Sequence, residues 1–173
     1  MDDVKIKSFN PFEYQNTFYE YDLNIVENEI NQILYLVENA QTPDQKTTHI
    51  DSMSDGSGLN VLNFPILKNL RHQVVNILDK HKLLLINNWA QLYNKNDFQD
   101  IHIHPNSDYS GIIYIQGSSP TFFYDRGFDS YSYKFKKNKL LLFPSDIPHQ
   151  VKKLNLNEER LIISFNTRKN CMM

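Results

Sequence analysis

The chain has one cysteine, Cys171, close to its end, so no disulfide framework can form within it. That suits a reducing, cytoplasmic setting. No apolar run approaches the roughly 18 residues of a membrane span, and the opening Met-Asp-Asp begins no apolar signal core. Glycine (5) and proline (7) are sparse among 173 residues, with 40% hydrophobic, which excludes a disordered or fibrous chain. Neither sign of charge is in excess. Lys and Arg number 18 against 20 Asp and Glu, a net −2 without a basic stripe, so neither nucleic acid nor a membrane surface is an expected partner. Internal repeats and low-complexity linkers are also missing, and one domain over residues 1–173 is expected.

What is present changes its period near residue 83. Before it, Val26, Ile30, Ile33 and Val37 recur at helical spacing, with acidic residues early in the run. From Pro65, which suits a first helical turn, Leu67, Leu70, Val74 and Ile77 repeat the pattern. "SDGSGLN" between them reads as a loop. After residue 83 come short β-branched and aromatic runs: "LLLINNWAQLY", "SGIIYI", "TFFYD", "SYSYKFK", "KLLLFP", "HQVKKL" and "RLIISFNT". The expected fold is α+β, mainly β: a sandwich or jelly-roll barrel. Helical support over about 20–82 packs on one sheet of a β core over about 83–167.

Six histidines are spread over the chain, yet two of them stand one residue apart in "DIHIHPNSDYSGIIYI". Side chains at i and i+2 of a strand share a face. His102 and His104 are therefore expected to project together at the head of the strand that carries Tyr114, with Ile101 and Ile103 turned into a packed layer. His149 follows the turn in "FPSDIPHQV", which can aim it back across a barrel. Three such ligands would leave positions open on a metal ion, as catalysis requires. His49, His72 and His81 have no partner nearby in sequence and are expected to be ordinary histidines.

In "RLIISFNT", alternation sets Arg160, Ile162, Ser164 and Asn166 on one face and Leu161, Ile163 and Phe165 on the other. The apolar face should lie beneath the helices and the first face should line the interior. A guanidinium there must be paired, and its fork suits a carboxylate. The partner is either a carboxylate ligand or a neighbouring Glu158 or Glu159. The stretch "TFFYDRGFDSYSYKF" either walls a substrate pocket or is plain packing.

The segments "HIHPNSDYSGIIY", "FPSDIPHQV" and "ERLIISFN" resemble, in order and spacing, the Fe(II)- and 2-oxoglutarate-dependent oxygenases. The likeness is to the prolyl-hydroxylase-like side, and within it an uncharacterised bacterial and phage branch. It covers about residues 83–167, and "NNWAQLYNKNDFQDIHIH" also fits. The resemblance implies a double-stranded β-helix with Fe(II) at one end, 2-oxoglutarate and O2 as cosubstrates, and hydroxylation of a small-molecule or protein substrate with release of succinate. Carried over by position, His102 and His149 are iron ligands. Arg160 grips the distal carboxylate of 2-oxoglutarate with help from Tyr114, and Tyr93 lies near the cosubstrate.

Two positions depart from the common pattern. His104 stands where the superfamily usually has a carboxylate, so the third ligand is either His104, as in the branch resembled here, or a nearby carboxylate such as Asp108. Ile162 replaces a usual serine, a loss that Ser164 or Tyr114 would offset. Two rival readings share the barrel. One is a cupin-type metal enzyme that does not use 2-oxoglutarate, and the other a non-catalytic ligand-binding barrel.

Overall fold

The computed structural model describes residues 18–39, 48–49, 52–53, 60–124, 130–155 and 159–170. "SDGSGLN" up to Leu59, the Asp125–Asp129 part of the aromatic stretch, Glu158 and Cys171 lie outside them. The expected helices are α1 (Glu27–Glu38) and α2 (Lys68–Lys80). Pro65 opens a 3₁₀ turn, Pro65–Leu67, that leads into α2. Ile30, Ile33, Val37, Leu67, Leu70, Val74 and Ile77 are all buried. Val26 is not: it stands at the N-cap of α1, half-exposed at 50%. The two helix starts are tied together by Glu29. Its buried carboxylate accepts the backbone N–H of Val26 (3.1 Å) and that of Leu70 (3.3 Å), two amides that helix starts leave without an internal partner.

Eleven strands follow the chain among the described residues: β1 (Tyr19–Asp22), β2 (Thr48–His49), β3 (Ser52–Met53), β4 (Leu83–Tyr93), β5 (Phe98–His102), β6 (Tyr109–Gln116), β7 (Thr121–Tyr124), β8 (Ser130–Tyr133), β9 (Lys139–Pro144), β10 (His149–Val151) and β11 (Arg160–Lys169). They form a six-stranded sheet ordered β1-β9-β6-β11-β4-β3 and a five-stranded sheet ordered β2-β5-β10-β7-β8, with every pairing antiparallel.

Alternation along the long strands divides the core in two. Ile113 and Ile115, Leu140 and Leu142, and Leu161, Ile163 and Phe165 pack with the helices on the outer face of the larger sheet. Ile112 and Tyr114, Leu141 and Phe143, and Ile162 meet Phe123, Tyr133 and Val151 of the smaller sheet. Strands buried on both faces read as continuous apolar runs, which is why β6 and β9 show no polar alternation. Gly111 is required where the layers are tightest: a Cβ added there would lie 1.9 Å from Cζ of Phe165, its cross-strand neighbour.

Candidate metal centre and its cleft

β5 and β10 are adjacent antiparallel strands, and their register sets His149 directly opposite His102. The two imidazole centroids are 4.2 Å apart. β5 ends at His102, so His104 lies in the following loop and not on the strand of Tyr114, which begins separately at Tyr109. Its backbone N–H donates to the Ser145 carbonyl at 2.9 Å, which pins the loop against the turn before β10. The His104 ring then stands 5.1 Å from that of His102 and 5.2 Å from that of His149. One ligand nitrogen from each of the three lies within 4.8 Å of the others. Ile101 and Ile103 do not enter a packed layer; they are 49% and 44% exposed, because β5 borders the surface and its outward side has no covering element among the described residues.

Two of the rings are held in a defined tautomer. His102 Nδ1 is 2.8 Å from the Asp100 carbonyl and His149 Nδ1 is 3.0 Å from that of Ile147. A carbonyl only accepts, so each Nδ1 carries the proton and each Nε2 presents a lone pair. Burial holds all three histidines below the usual imidazole range, His104 at about 4 and His149 well below that range, and repulsion from the neighbouring imidazole charges adds to the effect for His104 and His149. At neutral pH the centre is three neutral imidazoles. That donor set suits a borderline divalent transition metal.

Asp108 is placed elsewhere. Its carboxylate accepts the backbone N–H of Lys169 at 2.8 Å and its own N–H donates to the Thr167 carbonyl, so it fastens the end of β11. His104, not Asp108, joins the pair. His72 bonds Asn76 and His81 bonds the Tyr21 hydroxyl, both away from the centre.

The histidines line one end of a cleft between the sheets that holds about 370 Å³ of non-protein space, part of it open to solvent. Arg160 lines it too, opposite Tyr93 in the β11–β4 register and only 1% exposed. Its Nε donates to the Ser119 carbonyl (3.3 Å) and one Nη to the Thr121 hydroxyl (2.9 Å). The guanidinium carbon sits 4.9 Å from the centroid of Tyr93 and 5.9 Å from that of Tyr114, so ring faces offset part of its desolvation. The other nitrogen, Nη1, is buried without a hydrogen-bond partner, and no carboxylate among the described residues pairs with the group. An unmet donor on a buried cation fits a carboxylate-bearing ligand. Gly117, at φ +120, lets the chain pass over this arginine; a Cβ there would lie 2.9 Å from its Cα.

Tyr114 donates to or accepts from Thr121 at 2.9 Å, the Tyr93 hydroxyl donates to Gln99 at 2.8 Å, and Ser164 donates to Gln91 at 3.0 Å. Burial pushes both tyrosines up to about 12. Ile162 offers an apolar wall to the cleft. The sequence reading left out Gln91, Gln99 and Thr121. Gln91 was legible as a polar residue on the Trp89–Tyr93 face of β4, and Thr121 as the one hydroxyl opening an apolar strand. Gln99 carries no signal in the sequence, because its strand has no clear period.

No family model and no curated protein matches the sequence. Solved structures do match. A 2OG-Fe(II) oxygenase family oxidoreductase from Burkholderia pseudomallei aligns with a TM-score of 0.59 at 10% identity, over 87% of this chain and 85% of that one. A prolyl-4-hydroxylase from Pseudomonas putida gives 0.58 at 14% identity, over 88% and 92%. HygX from Streptomyces hygroscopicus, solved with nickel, 2-oxoglutarate and hygromycin B, gives 0.63 at 12% identity, over 89% and 83%. At such identities the likeness is one of fold alone: the chain shares its fold with these solved structures.

Proposed function

We propose that this chain is an Fe(II)- and 2-oxoglutarate-dependent oxygenase that hydroxylates a small molecule or a peptide side chain, with the 2-oxo acid converted to succinate. One observation carries the reading: three neutral imidazoles converge in the same cleft as a buried arginine with an unmet donor. On this reading the two sheets are the walls of a double-stranded β-helix. The names of the neighbours support both substrate classes, since they include prolyl hydroxylases and a protein solved with hygromycin B. The single cysteine supports a reducing, cytoplasmic setting, and no described helix is long and apolar enough to cross a membrane.

His102, His104 and His149 would hold the ion through imidazole nitrogens, with the Asp100 and Ile147 carbonyls fixing the rings of the first and third. Fe(II) held there would supply the activation of O2 together with the 2-oxo acid. Three neutral ligands leave both charges of the ion uncompensated, so an anionic chelator is favoured. Arg160 receives the distal carboxylate on Nη1, oriented by Thr121 and the Ser119 carbonyl and backed by the Tyr93 and Tyr114 rings. Phe143 and Ile162 line the cleft and limit its water. The Trp89 ring, 6.0 Å from that of His104, flanks the metal end.

Anaerobic titration with Fe(II) and then 2-oxoglutarate tests the reading through the weak visible charge-transfer band of the chelate. The band should form in the wild type and require far more 2-oxoglutarate in Arg160→Ala. Iron bound without a band would instead favour a metal enzyme that does not use 2-oxo acids. Failure to bind iron would leave a non-catalytic barrel.

A further inference from the structure

The cleft wall between Arg160 and the histidines carries a hydrogen-bond chain of fixed direction. His102 Nδ1–H is committed to the Asp100 carbonyl, so His102 Nε2 can only accept. Its neighbour at 3.2 Å is therefore the amide nitrogen of Gln99. That orientation leaves Gln99 Oε1 as the acceptor for two donors, the Tyr93 hydroxyl at 2.8 Å and the Gln91 amide at 3.3 Å. The Gln91 oxygen in turn accepts from Ser164. Turning the Gln99 amide over would set donor against donor at Gln91 and strip His102 of its partner. Gln99 is locked with its N–H beside the nitrogen that faces the centre.

An ion that takes the His102 Nε2 lone pair removes the acceptor that this N–H has among the described residues, while Oε1 stays held. An unmatched donor in a largely enclosed cleft is unfavourable. An oxygen ligand on the ion is the group that can receive it. Tyr93, which holds Gln99, also lies with its ring against Arg160, so one wall links the two ends of the cleft. We propose that Gln99 is a cosubstrate-binding residue, donating a hydrogen bond to the metal-bound carboxylate of the 2-oxo acid while Arg160 takes the distal one. The inference rests on the function proposed above.

The test uses anaerobic, Fe(II)-loaded wild type, Gln99→Leu, Gln99→Glu and Arg160→Ala, each titrated with 2-oxoglutarate and with 2-oxobutyrate, which lacks the distal carboxylate. Dissociation constants come from the charge-transfer band and from calorimetry, with metal affinity and Tm measured in parallel. Gln99→Leu should weaken both acids about tenfold, the loss of one hydrogen bond to a charged acceptor. Its metal affinity should hold or rise, because leucine does not compete for His102 Nε2. Gln99→Glu sets carboxylate against carboxylate and should weaken both acids further. Arg160→Ala should weaken 2-oxoglutarate alone. Equal acid affinities in wild type and Gln99→Leu, with both folded and loaded, would overturn the proposal and leave the oxygenase reading standing. A parallel fall of metal affinity and Tm in both Gln99 variants would make the residue a mere support for His102 and overturn it as well. Absence of a chelate in the wild type would sink the oxygenase reading itself.

Discussion

His149 and His102 are cross-strand partners on β10 and β5, with ring centroids 4.2 Å apart and Nδ1–H groups each bonded to the carbonyl two residues earlier in the chain, that of Ile147 in the turn before β10 and that of Asp100 within β5. The pair is thus oriented by backbone and does not depend on an ion for its geometry. Replacing either residue by alanine should leave the fold intact and reduce affinity for a divalent transition metal beyond the roughly 10–100-fold expected for an outer-shell change. Metal content per chain after dialysis against defined free metal measures this. Full occupancy in His149→Ala would place the ion elsewhere.

The centre should also make the metal-free protein sensitive to acid. Burial depresses the three imidazole pKa values, that of His104 to about 4, below the ordinary 6.5 that the unfolded chain retains. As pH falls through 6.5 the unfolded state takes up protons that the folded state refuses, so stability drops from there downward, by at most about 1.4 kcal/mol per pH unit for each such histidine. Tm should be flat from pH 8 to 7 and fall below 6.5, and less steeply in His104→Gln. An unchanged slope in that variant would show that His104 does not contribute.

Gly111 lies under the Phe165 ring, and any side chain there needs the ring to move. Gly111→Ala should destabilise by about 1–3 kcal/mol, the usual range for overpacking. Urea denaturation of the single variants and of Gly111→Ala with Phe165→Leu gives the coupling. If the steric account holds, the double variant loses less than the sum of the two single changes.

Glu29 serves both helix starts from a buried position. Glu29→Ala strands two amides and should cost about 2–4 kcal/mol, whereas Glu29→Gln keeps one acceptor and should cost about half as much. Equal losses in the two variants would indicate that packing volume, not the hydrogen bonds, is what matters.

The elements with a clear local period were legible in the residues themselves. β4 spans Leu83–Tyr93 and β9 spans Lys139–Pro144, the bounds read from the apolar runs, and the buried faces of α1 and α2 follow their helical spacing. The two faces of β11 also divide as alternation requires, Leu161, Ile163 and Phe165 outward and Arg160, Ile162 and Ser164 toward the cleft. β5 was not legible, because Phe98–His102 mixes half-buried with exposed positions and shows no period. For the same reason the outward isoleucines beside the histidines were misjudged.

By itself, then, the sequence determined which residues lie on which face of each long strand, since that needs only the two-residue period of an extended chain. It also supplied the chemistry: three imidazoles and an arginine in a chain with no charge excess. Tertiary structure alone decided that His149 stands opposite His102, that His104 and not Asp108 joins them, and that Ser119 and Thr121 hold Arg160 from about forty residues away. Those facts depend on strand register and on how two sheets face each other. Both are set by packing between segments far apart in the chain, where no local period reaches.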